Sequence, residues 1–256
     1  MDDDLLQDHA RIALACLDLT SLNDADTAAD VERLCERAQS RFGPVAAVCV
    51  WPRFAALARA RLPASIAVAA VANFPAGGTD VDAALRDTAQ IAQAGAQEVD
   101  VVLPWRALQA GDEHACAQLL AAVRRGSDGL LLKVILETGE LVEPHLIRRA
   151  SELALAAGAD FLKTSTGKTK VSATLGAAEV MLGAIAADDA AASRVGFKAA
   201  GGIRSVTDAA LYIHRVRSLL GDAAVGPRRF RIGASALLGD IESVLGGTPA
   251  APSKGY

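Results

Sequence analysis

The chain is short of the residues that mark disulfides, metals and membranes. It has four cysteines in 256 residues, Cys16, Cys35, Cys49 and Cys116, and no Cys-x-x-Cys pair. None lies at zinc-ligand spacing from a histidine, and the four histidines are scattered. Reduced, buried thiols and no metal site are therefore expected. Aromatic residues are only 4% of the chain, so its 52% hydrophobic content is mostly Ala, Leu and Val. No apolar run approaches the roughly 18 residues of a membrane-spanning helix. The start, Met1-Asp-Asp-Asp4, is acidic, where a secretory leader begins basic. A cytoplasmic protein with no membrane partner is expected. The formal net charge of −4 gives no global attraction to nucleic acid. It does not exclude a local basic pocket for a small anion. No glycine-rich dinucleotide fingerprint follows an early strand, which weighs against a doubly wound open sheet.

What is present is a regular alternation. Short apolar runs rich in β-formers end in Gly, Pro or small polar residues, and longer Ala/Leu/charged stretches follow them. The spacing predicts strands at 14–19, 46–50, 66–72, 98–103, 130–136, 161–164, 195–199 and 230–232. It predicts helices near 27–40, 53–61, 80–94, 107–124, 143–157, 173–187, 205–219 and 236–245. From Leu146 the apolar positions Leu146, Ile147, Ala150, Leu153, Ala154 and Ala157 trace one helical face, and Gly158 stops it. Ser205 with Asp208 three residues on reads as a capping box. The strands are nearly continuous apolar runs, as in a parallel sheet buried on both faces. Eight strand–helix units without a linker predict one α/β domain over residues 1–256, a closed (β/α)8 TIM barrel. The first few residues and the Gly/Pro/Ser-rich stretch 246–256 read as flexible.

Charges inside the strands are the informative anomaly, because a strand buried on both faces should carry none without a partner or a task. Asp18, Asp100, Lys133, Lys163 and Lys198 all break the rule. Inward residues of a barrel meet in the middle. Lys163 and Lys198, on the sixth and seventh strands, would then repel each other in a partly dry site. Both effects lower a lysine pKa and leave neutral amine, the form that attacks a carbonyl. Asp100, two strands away, could move protons. Lys133 reads as a structural partner for carboxylates. Behind the late strands, Gly167-Lys168, Gly201-Gly202 and Gly233-Ala-Ser235 stand where barrels often hold a phosphate on backbone N–H groups.

The runs Phe161-Leu-Lys-Thr-Ser-Thr-Gly-Lys168, Gly196-Phe-Lys-Ala-Ala-Gly-Gly-Ile-Arg204 and Glu98-Val-Asp-Val-Val-Leu-Pro104 resemble the signatures of the deoxyribose-phosphate aldolases. Supporting matches, among them Leu17-Asp-Leu-Thr20 and Glu137-Thr-Gly-Glu140, extend the resemblance over nearly the whole chain. It implies a class I aldolase without metal or cofactor, which interconverts 2-deoxy-D-ribose 5-phosphate with acetaldehyde and D-glyceraldehyde 3-phosphate in deoxyribonucleotide breakdown. By this resemblance Lys163 forms the Schiff base, Lys198 depresses its pKa and Asp100 assists proton transfer. Gly167, Lys168, Gly201, Gly202, Gly233 and Ser235 match positions around the phosphate. Asp18, Thr20 and Thr166 match residues lining the substrate pocket. Cys49 matches a thiol linked in some members to aldehyde inactivation, although its own context reads as core. Tyr256 matches a terminal tyrosine that in some members helps move the enamine proton, against the flexible tail its context suggests. Two departures stand out: Ala199 and Ala236 replace a proline and a serine common in the family. The implied partners are small phosphorylated sugars and aldehydes, with a homodimer left open. Two rivals remain at this level: a Schiff-base lyase for another phosphorylated carbonyl compound, and a non-catalytic phosphosugar-binding barrel.

Overall fold

The computed structural model describes residues 3–247. Eight strands close into a barrel. They are β1 Leu17–Thr20, β2 Ala47–Val50, β3 Ala67–Ala72, β4 Glu98–Val102, β5 Leu131–Ile135, β6 Phe161–Lys163, β7 Gly196–Ala200 and β8 Phe230–Ala234. Each pairs in parallel with the next, and β8 returns to β1 through Leu17↔Ile232 and Asp18↔Gly233. With helices between the strands this is a (β/α)8 barrel, as the alternation predicts. The helices start where the sequence offers caps. Thr27 and Ser205 form capping boxes with Asp30 and Asp208, and Asp80 and Thr174 accept the N–H of Ala83 and Ala177.

The period of two along each strand separates two interiors. Val99, Val101, Leu132, Val134, Leu162, Phe197 and Ile232 face outward into one apolar layer shared with the helices. Full burial of a large aliphatic side chain is worth roughly 1.5–3 kcal/mol, so this layer carries the stability. The alternate positions, including Asp100, Lys133, Lys163 and Lys198, turn into the barrel. There desolvation offsets much of the Coulomb attraction, so the charged interior adds little net stability beside the apolar layer. One wall of the interior is apolar, with Leu22, Cys49, Ala69 and Val71 packed together against Trp51 and Phe74.

Three expectations about the elements are corrected. The first strand does not begin at residue 14. A helix, Asp3–Ala15, precedes it and buries His9, Ala10, Ala13 and Leu14, so the chain is ordered almost from its start. The apolar run Ile12-Ala-Leu-Ala-Cys-Leu17 satisfies both periods, and a short run cannot choose between them. The stretch 107–124 is two helices, Trp105–Gln109 and Glu113–Gly126, broken at Gly111, with Asp112 capping the second. The stretch 27–40 ends as a helix at Arg37, and Gln39–Ser40 then pairs with Gly43–Pro44 outside the barrel.

Candidate active site

Barrel closure brings together charges that are far apart in the chain. Asp100 is the hub. Its Oδ2 accepts from Lys163 Nζ and Lys198 Nζ, both at 2.8 Å, and its Oδ1 accepts from Lys133 Nζ at 2.8 Å. Lys198 also donates to Asp18 Oδ2 at 2.5 Å. Lys133 also donates to Glu98 Oε2 at 2.5 Å and lies 3.4 Å from Asp18 Oδ2. Arg231 closes the cluster from below, donating to Asp18 Oδ1 at 2.6 Å and Glu98 Oε1 at 2.8 Å. All of these side chains are buried.

The four cations are not equivalent. Lys133 has three carboxylates within ion-pair distance, and Lys198 and Arg231 have two each. Lys163 has one. Counted with a neutral Lys163, the cluster holds three cations and three carboxylates. Protonating Lys163 leaves an excess buried positive charge. The pKa directions follow. Burial lowers the Lys163 pKa, and Lys198 adds to this against the opposing pull of Asp100. Burial also works against the Lys198 charge, but Asp100 and Asp18 outweigh it and raise its pKa. The expectation that both lysines are depressed is thus corrected for Lys198, because a second carboxylate faces it. Burial would raise the Asp100 pKa, yet the three lysines hold it well below the usual carboxylate range.

Lys163 opens upward into a cavity of about 260 Å³ at the C-terminal end of the strands. Thr20, Thr166, Gly167, Lys168, Gly201, Gly202, Gly233 and Ser235 all line it. Gly201 and Gly202 both have positive φ, 86° and 83°. A Cβ on Gly201 would come within 2.5 Å of the Ser172 Cβ, so only glycine lets these two loops approach. Ala236 lines the cavity and precedes the helix Leu237–Leu245, whose first N–H groups receive no side-chain cap. Lys168 and Arg204 bring positive charge to the rim.

Not every expected residue lies there. Asp18 does not reach the cavity wall; it is fully buried beneath Lys163, with both oxygens taken by Lys198 and Arg231. Cys49 is fully buried on the apolar inner wall, and burial raises its thiol pKa. Tyr256 lies outside the described residues. Three buried charged groups went unflagged in the sequence. Glu98 and Arg231 are charges in apolar strands just as Lys133 is, so the same rule could have found them. Glu137 lies past the end of β5, where a charge is unremarkable.

A family model of the DeoC/LacD aldolases matches residues 12–238. The chain belongs to this family. It is an aldolase, a carbon–carbon lyase. A curated deoxyribose-phosphate aldolase from Agrobacterium fabrum is 48% identical over 254 residues, spanning 98% of this aldolase and 97% of its own length. A solved structure from Coccidioides immitis, a candidate deoxyribose-phosphate aldolase, matches with a TM-score of 0.77 at 27% identity, covering 93% of this chain and 95% of that one. Another, from Toxoplasma gondii, reaches a TM-score of 0.87 at 24% identity over 96% of this chain and 97% of that one, a likeness of fold. Among the described residues, no helix of this aldolase is long and apolar enough to cross a membrane.

Proposed function

We propose that this aldolase is a cytoplasmic enzyme that reversibly cleaves 2-deoxy-D-ribose 5-phosphate to D-glyceraldehyde 3-phosphate and acetaldehyde through a Schiff base on Lys163. The observation that carries the reading is the unequal pairing of the buried cations. Lys163 alone among them has a single carboxylate partner, and it alone lines the cavity. An amine with fewer compensating anions gives up its proton more readily, and neutral amine is the nucleophile. The substrate assignment draws on the Agrobacterium fabrum relative and on the glycine loops, whose N–H groups suit a phosphate.

The neutral Lys163 nitrogen attacks the C1 aldehyde of the ring-opened sugar, and loss of water from the carbinolamine gives an iminium. Acetaldehyde carries two carbons, so the bond that breaks is C2–C3. The C3 hydroxyl gives up its proton, its oxygen becomes the carbonyl of the triose phosphate, and the C2–C3 electron pair flows into the iminium to form an enamine. Protonation at C2 and hydrolysis then release acetaldehyde and free Lys163. Asp100 starts as a carboxylate, held so by the charged Lys133 and Lys198, and therefore begins as an acceptor that orients Lys163 and relays protons through water. Arrangement of the phosphate over the glycine loops sets the other end of the sugar.

Borohydride reduction in the presence of substrate tests this. The intact protein should gain the mass of the reduced adduct, and peptide mapping should place it on Lys163. Lys163→Ala should lose both adduct and turnover. A labelled Lys198, or near-normal cleavage by the alanine variant, would sink the assignment.

A further inference from the structure

Glu137 has no part in the chemistry above, yet it is a buried carboxylate one loop away from it. Backbone pairing between β5 and β6 runs on past the strands. The Leu136 N–H donates to the Lys163 carbonyl at 2.9 Å, and the Thr138 N–H donates to the Thr164 carbonyl at 3.0 Å. Between these bonds Glu137 adopts φ 58° and ψ 56°, the left-handed region that few residues with a side chain enter. Such a conformation persists where the surroundings impose it, and it concentrates at functional sites. The consequence is visible in its carboxylate. Glu137 Oε1 accepts from the Thr166 N–H at 3.2 Å, and Oε2 accepts from Thr166 Oγ1 at 2.5 Å. Thr166 Oγ1 in turn accepts from the Lys168 N–H at 3.0 Å. The carboxylate therefore fixes Thr166, and the Thr166 hydroxyl in turn holds the Lys168 end of the turn, which lines the cavity with Gly201 and Gly202. The same loop leans on the Glu137 segment a second time. A Cβ on Gly139 would stand 1.9 Å from the Val171 carbonyl oxygen, so the two chains touch backbone to backbone.

We propose that Glu137 is a positioning residue for the phosphate, holding the Thr166-Gly167-Lys168 loop in the shape that presents the Gly167 N–H and the Lys168 charge to the anion. This rests on the reading that a phosphate sits over the glycine loops. Glu137 does not reach the cavity, so its effect passes through Thr166. Its influence falls on the phosphate end of the substrate and not on the reacting carbon.

The test compares Glu137→Gln with wild type on 2-deoxyribose 5-phosphate and on unphosphorylated 2-deoxyribose, with calorimetric titration of inorganic phosphate alongside. Glutamine keeps the shape but replaces one accepting oxygen with a donor that faces Thr166. KM for the phosphorylated sugar and the Kd for phosphate should both rise about tenfold, as expected for one lost charge-assisted hydrogen bond. Turnover at saturation and kcat/KM for 2-deoxyribose should stay near wild type. Thr166→Val should weaken phosphate binding by a similar factor, Thr166→Ser should keep it near wild type, and the phosphate Kd of the Glu137→Gln/Thr166→Val pair should be no worse than that of either single change. An equal loss on both sugars, an unchanged phosphate Kd, or additive effects in the double variant would overturn the proposal. Phosphate binding does not depend on the aldol reaction. Wild type that binds phosphate with weakening by Glu137→Gln, but does not cleave deoxyribose 5-phosphate, would remove the assigned substrate and leave this role standing.

Discussion

Replacing Lys198 with methionine offers a sharp separation between an electrostatic and a merely structural role for the second lysine. Lys163 and Lys198 donate to the same oxygen of Asp100, each at 2.8 Å, so their nitrogens are at most twice that distance apart. At an effective dielectric of about 20, two like charges at that separation repel by roughly 3 kcal/mol. That is about two pKa units. The sign is fixed by the reactive form. Lys198 makes a charge on Lys163 more costly, so its removal raises the Lys163 pKa, and Asp18 and Asp100, now less compensated, push the same way. The neutral amine attacks, so the acid limb of kcat/KM should move to higher pH by about two units. Near neutrality the variant should be about a hundredfold slower, and raising the pH should recover most of that loss. The assay is cleavage of deoxyribose 5-phosphate across the pH range, with borohydride trapping of acetaldehyde at the same pH values. Removing one member of a buried ion pair also costs about 3–5 kcal/mol of stability, so folding must be checked by circular dichroism at each pH. A folded Lys198→Met variant whose loss is the same at every pH would refute the charge-coupling argument.

Other consequences are simpler to measure. Lys133→Met should leave Glu98 and Asp100 short of their shared cation and cost about 3–5 kcal/mol, lowering the melting temperature by about 6–20 °C for a protein of this size; an unchanged melting temperature would mean that Lys133 is not a structural partner. Gly201→Ala should push the glycine loop off Ser172 and raise KM for the phosphorylated sugar far more than for 2-deoxyribose. Burial raises the Cys16 thiol pKa to about 12 and those of Cys35 and Cys116 to about 11, and Cys49 is raised too. Iodoacetamide near pH 8 should therefore label none of the four in the folded protein and all of them in urea, as read by intact mass.

The fold was open to sequence reasoning because every strand of a closed parallel barrel is buried on both faces. Apolar runs such as Ala67–Ala72 and Leu131–Ile135 then stand out, and any charge in them is conspicuous. Lys133, Lys163, Lys198, Asp100 and Asp18 stand out in the sequence for this reason alone. The glycine turns after β6, β7 and β8 were legible for a related reason, since their sequence neighbours already placed them at the C-terminal ends of strands. The N-terminal helix escaped because its apolar face is made of alanine and leucine spaced ambiguously.

The sequence by itself determined the barrel, five of its buried charges (Asp18, Asp100, Lys133, Lys163 and Lys198) and, through family resemblance, the choice of Lys163 as the attacking amine. Tertiary structure decided which charge faces which. Asp18 and Arg231 lie 213 residues apart in the chain and 2.6 Å apart in the barrel. Local patterns carry no information about that distance. Only closure of β8 on β1 gives Lys198 its second carboxylate and leaves Lys163 with one. The physical reason is Coulombic: the pKa of a buried amine depends on the count and distance of its neighbours, and those exist only once the barrel has closed.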